Sequence, residues 1–210
     1  MPTGIATDVF TRDVSPGLGS ADIGGAWTTT GTVSKYSVTA GAAQMRVAAG
    51  GTANGYLLGV SSESTDVTVT TSLQQATTGA GTYVSLIGRR VGTADYRARV
   101  KVLATGAVQL QLMRGGTTLQ ASTIAGLSYA TNDQLHVRLQ VFGTAPTTIR
   151  AKVWAAGTTE PTVWPLSRTD ATTALQQAGS IGLAAYNSGS ATTPMTVSFD
   201  DLSAIAVTEP

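Results

Sequence analysis

Apolar and polar residues alternate with a period of two along most of this chain. That pattern marks β-strands with one face in a core and the other in water. The clearest runs are Thr65–Leu73 (TDVTVTTSL), Thr82–Arg90 (TYVSLIGRR), Asp95–Leu103 (DYRARVKVL), Ala107–Met113 (AVQLQLM), Gln134–Phe142 (QLHVRLQVF) and Thr147–Trp154 (TTIRAKVW). Weaker runs cover Ala6–Arg12, Lys35–Thr39, Ala43–Ala48, Gly55–Val60, Thr118–Thr123, Ser180–Tyr186 and Thr196–Ile205. Turn residues punctuate them, among them Ser15-Pro16-Gly17, Gly24-Gly25, Gly50-Gly51, Gly115-Gly116, Asn132-Asp133 and Asn187-Ser188-Gly189. One or two helical turns are expected over Asp170–Gln177, with Asp170 as N-cap. Roughly a dozen strands without βαβ alternation predict an all-β antiparallel sandwich or barrel. No repeat or long linker interrupts the chain. One domain over residues 1–210 is expected, with frayed ends at about 1–4 and 207–210.

The phase of the alternation assigns faces. Val100, Leu110, Leu139 and Val153 each sit among apolar residues of their own strand and are predicted to meet in one inter-sheet core. The opposite phase carries Arg97, Arg99, Lys101, Arg138, Arg150 and Lys152. These six cations are predicted to form one stripe on a single sheet surface.

Composition narrows the chemistry. Among 210 residues there is no Cys, which excludes disulfides, thiol catalysis and iron–sulfur ligation. Charged residues make up 12%, about half the usual share, and Thr, Gly, Ala, Ser and Val take their place. The net charge of +1 conceals a basic middle: residues 89–152 hold nine Lys and Arg against Asp95 and Asp133. No run of apolar residues is long enough to span a membrane. The start, Met1-Pro2-Thr3-Gly4-Ile5, has neither a basic nor an apolar signal region. The expectation is a chain that is not exported by the usual route or that has been trimmed.

Several stretches together resemble a known group: Asp8-Val9-Phe10-Thr11-Arg12, Gly25-Ala26-Trp27, YVSLIGRR with DYRARVKVL, LHVRLQVFGTAPTTIRAKVW, Glu160-Pro161 with Trp164, GSIGLAAY and VSFDDL. They are similar to concanavalin A-like, laminin-G-like jelly-roll domains. The narrower likeness is to modules of actinobacterial extracellular proteins and of virion proteins of their phages. The resemblance implies a two-sheet antiparallel jelly roll with a buried early Trp at Trp27. It implies little about function, because the fold hosts lectins, glycanases and structural modules.

Glycanases of this fold carry Glu-x-Asp-x-x-Glu on one strand, which sets two carboxylates about 5–5.5 Å apart. This chain lacks the pattern. Glu63, Glu160 and Glu209 are isolated, and the adjacent Asp200 and Asp201 are expected to point to opposite faces of a strand. Gly-x-Ser-x-Gly is absent, and His136 reads as a solvent-facing strand residue. No enzyme activity is expected. No cofactor is called for beyond a structural Ca²⁺, for which Asp8 with Asp200 or Asp201 are the candidate ligands. The other reading of Asp200 and Asp201 is a strand cap paired with surface Arg.

Trp154, on the polar phase of its strand, and Trp164, in a Pro-flanked loop, are the exposed aromatics that sugar could stack on; Trp164 has the alternative of folding back as a lid on the sandwich edge. Tyr83 and Tyr96 read as core. The basic stripe suits a polyanion or an acidic protein, or else is neutralised by acids such as Glu63, Asp66 and Asp170 or by a neighbouring subunit. Aromatic interleaving of the kind found on single-strand nucleic-acid platforms is not visible, so nucleic acid and membrane are not expected partners. The expected function is that of a non-catalytic virion structural or adhesion protein, in a phage tail or on a capsid surface. Its partners would be other virion proteins, host cell-surface polysaccharide or further copies of itself, and its location the virion or the extracellular space. The alternative is a carbohydrate-binding module cut from a secreted enzyme.

Overall fold

The computed structural model describes residues 3–208. Strands take 60% of the chain and helix 3%, as the period-two pattern predicts. In chain order the strands are β1 (Thr3–Asp8), β2 (Thr28–Thr29), β3 (Tyr36–Thr39), β4 (Ala42–Val47), β5 (Thr52–Ser62), β6 (Thr65–Leu73), β7 (Thr82–Val91), β8 (Ala94–Val102), β9 (Ala107–Arg114), β10 (Thr117–Ser128), β11 (Gln134–Phe142), β12 (Thr147–Ala155), β13 (Leu166–Asp170), β14 (Gly179–Asn187) and β15 (Met195–Ala206). The six clear runs of the sequence coincide with β6, β7, β8, β9, β11 and β12 to within one residue at each end. Two short strands, β2 and β13, carry too little alternation to be read in advance. The expected helix over Asp170–Gln177 shrinks to one 3-10 turn at Thr173–Leu175. Asp170 instead ends β13, and its carboxylate accepts the Thr172 N–H at 2.9 Å.

All pairings are antiparallel, and they build two sheets. The eight-stranded sheet runs β13-β12-β11-β6-β15-β4-β3, with β1 also paired to β15; the seven-stranded sheet runs β10-β9-β8-β7-β14-β5-β2. This is the two-sheet jelly-roll sandwich. The end expected to fray from residue 1 is a strand from Thr3 onward, with Gly4 paired to Ile205; residues 1, 2, 209 and 210 lie outside the described residues.

The inward phases of both sheets form one continuous core. Val100, Leu110, Leu139 and Val153 are all within it, at most 2% exposed. Trp27 is buried and stacks on Phe10 at 6.2 Å. Gly88 lets the sheets approach closely: a Cβ there would lie 2.7 Å from Val141 and 2.9 Å from Leu139.

One charge lies inside. A bulge after Ile87 shifts the phase of β7, so Arg89 turns inward and is fully buried. Its guanidinium donates to Thr147 Oγ1 (2.7 Å) and to the carbonyls of Leu175, Gly143 and Glu63. Burial lowers its pKa, with partial opposition from Tyr96 and Glu63. Arg89 thereby ties β7 to three connections at one end of the sandwich.

The edges are unequal. The backbone of β1 bridges to Ile23 and that of β3 to Val14, while β13 is short and carries Arg168. β10 is twelve residues long, contains neither charge nor proline, and among the described residues pairs only with β9. Long uncharged edges are the kind that accept another strand.

Candidate functional site

The six cations expected on one surface are divided between the two sheets. Arg97, Arg99 and Lys101 belong to β8 in the seven-stranded sheet; Arg138, Arg150 and Lys152 belong to β11 and β12 in the eight-stranded sheet. Alternation fixes in or out within a strand but says nothing of which sheet the strand joins, so the two sets face away from each other across the core.

On the eight-stranded sheet Arg138 and Lys152 are neutralised by carboxylates, while Arg150 meets an amide. Arg138 grips Asp66 through Nε (2.8 Å) and Nη2 (2.5 Å) and reaches Glu160 through Nη1 (2.7 Å). Lys152 bonds Glu160 and the Pro161 carbonyl, both at 2.7 Å. Arg150 donates to Gln140 at 2.7 Å. Over them lies Trp164, with its ring centre 4.5 Å from Lys152 Nζ and 4.7 Å from the Arg150 guanidinium. Trp164 is thus a lid over cations rather than an open platform. Burial raises the Glu160 pKa, but its bonds to Lys152 and Arg138 outweigh that and hold it below the usual range. Asp66 holds the Arg138 pKa above its ordinary value.

The seven-stranded sheet presents a different surface. Its outward phase forms rows across the strands. One row reads Thr52, Tyr186, Tyr83, Lys101 and Gln109; the next reads Asn54, Ala184, Ser85, Arg99 and Gln111. Tyr83 is therefore outward and half-buried, not core. In TYVSLIGRR both phases carry apolar residues, and Val84 and Leu86 are the ones that face in. The Tyr83 and Tyr186 rings lie 5.4 Å apart at 47°. Arg99 and Lys101 flank Tyr83, at 5.1 and 5.2 Å from its ring centre. Further along, Arg90 lies 4.1 Å over Tyr56, which rests on Gly182 and packs on Ile87 and Ala184. Aromatic rings and cations do interleave here, contrary to the reading from sequence, because Tyr186 and Tyr56 arrive from distant strands.

The charge on this face is open. Arg97 is held by Asp95 in a fork. Arg99 donates to Gln111 Oε1 at 2.6 Å, and burial lowers its pKa. Among the described residues no carboxylate pairs with Arg90, Arg99 or Lys101. The result is a half-buried tyrosine pair bordered by free cations and by the amides of Gln109, Gln111 and Asn54. Such a surface can stack a ring and donate hydrogen bonds to hydroxyl, carboxylate or sulfate oxygens.

The metal candidates behave otherwise. β1 and β15 do pair, with Asp8 opposite Leu202. Asp8 is fully buried, however, and its oxygens accept from Arg12 (2.7 and 2.8 Å), the Trp27 indole (2.7 Å) and the Phe10 amide (3.0 Å). Those donors occupy the lone pairs a Ca²⁺ would need. Among the described residues no group of three or more His, Asp or Glu could hold a metal.

Asp200 and Asp201 do not point to opposite faces. A bulge between Asp200 and Ser203 puts Asp201 at φ +50°, and the buried flanking residues are Phe199 and Leu202. Both aspartates face outward on the eight-stranded sheet: Asp200 beside Thr70 and Ser72, Asp201 beside Thr68 and His136. Burial raises the Asp200 pKa, helped by the charges of Asp201 and Asp8. Trp154, the other aromatic candidate, is half-exposed on this face and packs against His136 at 5.3 Å.

No protein-family model matches this chain, and no curated protein sequence does. Solved structures share its fold. The carbohydrate-binding module CBM66 from Bacillus subtilis is 21% identical over 86% of this chain and 95% of its own, with a TM-score of 0.50. A β-1,3-1,4-glucanase (lichenase) from a mouse hindgut metagenome is 12% identical over 98% and 99%, with a TM-score of 0.61. The CBM2 module of the evolved Dit of Lactobacillus casei BL23 phage J-1 is 8% identical over 100% and 98%, with a TM-score of 0.55. The chain has the concanavalin A-like jelly-roll fold that these proteins share.

Proposed function

We propose that this domain binds glycans without cleaving them, through the outer face of the seven-stranded sheet, and that it favours acidic glycans. The observation that carries this reading is the Tyr83–Tyr186 pair beside the unpaired Arg99 and Lys101. Tyrosines supply the stacking surface; the cations supply charge-assisted bonds to uronate or sulfate groups. The face offers no carboxylate pair for acid–base work, since Asp95 is taken up by Arg97. That two of the neighbours are named as carbohydrate-binding modules supports the reading; that another is a lichenase leaves it to be tested.

The test is calorimetric titration with alginate as an acidic polysaccharide and mixed-linkage β-glucan as a neutral one. Tyr83→Ala with Tyr186→Ala, and Arg99→Glu with Lys101→Glu, should each abolish alginate binding while circular dichroism stays native. Binding should weaken with salt. Unchanged binding in both variants overturns the proposal, as does release of reducing ends. Tighter binding to single-stranded DNA than to any polysaccharide would reassign the same face to nucleic acid.

A second reading concerns where the domain works. The phage Dit module among the neighbours and the long, uncharged edge strand β10 favour a virion component that joins other chains. Native mass spectrometry distinguishes this from a module excised from a secreted enzyme. An oligomer that Thr123→Lys, on the β10 edge, converts to monomer supports the virion reading, and a monomer throughout supports the module.

A further inference from the structure

We propose a second saccharide site, on the outer face of the eight-stranded sheet, which takes neutral sugars and makes the domain bivalent. The inference extends the glycan-binding reading but stands on different residues. Trp154, His136, Thr70 and Asp200 are register partners on β12, β11, β6 and β15 and form one row across the sheet. The two rows beside it are closed by Trp164 and by the ion pairs of Glu160. The first row is left open between the connection at Thr158 and Glu160 on one side and the bulge at Asp201 on the other. The space is about 370 Å³, within the roughly 300–1,000 Å³ usual for small-ligand sites.

Its chemistry is that of a sugar subsite. The tilted Trp154 and His136 rings offer an aromatic surface for the apolar face of a pyranose. Asp201 is exposed, joins no ion pair among the described residues, and stands on left-handed backbone that a bulge imposes. A carboxylate accepts only, so it suits two sugar hydroxyls. Thr68 and Thr158 add hydroxyls. His136 Nδ1 is 3.0 Å from the Thr70 hydroxyl, and its other ring nitrogen has no partner among the described residues. Among the described residues no Lys or Arg lines the space. It therefore selects hydrogen-bond donors and disfavours anions, the reverse of the tyrosine face. Because the two faces lie on opposite sides of the core, one molecule can hold an acidic and a neutral chain together, which raises avidity for a mixed surface.

The test uses the full chain with alginate and with a panel of neutral polysaccharides: mixed-linkage β-glucan, xylan, mannan and levan. Trp154→Ala and the milder Asp201→Asn should each weaken neutral binding by about tenfold or more and leave alginate binding unchanged. Tyr83→Ala with Tyr186→Ala should do the opposite. Protein captured on immobilised alginate should retain the neutral polysaccharide from solution, and Trp154→Ala should abolish that retention. Absence of binding to every neutral polysaccharide, or binding indifferent to both variants, overturns the second site and leaves the tyrosine face standing. Failure of the unsubstituted chain to bind alginate, with neutral binding intact, overturns the tyrosine face and leaves this site.

Discussion

Tyr83 and Tyr186 are direct register partners on β7 and β14, with ring centres 5.4 Å apart on the outer face of the seven-stranded sheet. More than a hundred positions separate them in the chain. Their outward, half-buried placement beside Arg99 and Lys101 is the feature from which the functional reading grows.

The stacking component separates from the charge component by salt. Tyr186→Ala should cost about 0.5–1.5 kcal/mol of glycan affinity, nearly independent of ionic strength. Arg99→Ala should cost affinity mainly at low salt, where screening is weak. Titrations at two salt concentrations check this; equal salt slopes for both variants would contradict the division.

Arg89 anchors one end of the sandwich through Thr147 and three carbonyls. Arg89→Ala strands those buried acceptors and opens a cavity. Destabilisation of about 3–5 kcal/mol is expected in denaturant unfolding. Arg89→Lys should recover only part, since an ammonium cannot span partners set for a planar fork.

Leu139 and Gly88 face each other across the core, with a Cβ on Gly88 falling 2.9 Å from Leu139. Leu139→Ala should cost about 2–5 kcal/mol, and Gly88→Ala about 1–3 kcal/mol through overpacking. The double variant should cost less than their sum, because the new methyl enters the space the leucine leaves. Additive losses in chemical denaturation would show that the two sites do not share that space.

Acid should loosen the β13 end. Burial pushes the Asp170 carboxyl up, but the Tyr96 hydroxyl (2.6 Å), the Thr172 amide (2.9 Å) and Arg114 (2.8 Å) together hold it below its ordinary 3.8. The unfolded chain then takes up the proton at a higher pH than the folded one. The stabilisation is complete above about pH 4 and is lost as pH falls through the depressed value. The melting temperature should drop over that interval. Asp170→Asn should melt lower at pH 7 and show a shallower acid slope.

What the sequence determined by itself was local. The alternation in QLHVRLQVF and TTIRAKVW assigned inward and outward positions in β11 and β12 correctly, because side chains alternate in any strand whatever its neighbours. The same argument placed Val100, Leu110, Leu139 and Val153 in the core. Tertiary structure decided the rest. Strand order sent Arg99 and Arg138 to opposite faces and gave Asp66 to the latter. It also brought Tyr186 to Tyr83 and Trp154 to His136. Two bulges, after Ile87 and at Asp200, broke the period of two, turning Arg89 inward and Asp201 outward. An extra residue in a strand depends on its pairing with the neighbour, which a local pattern of apolar and polar positions does not record.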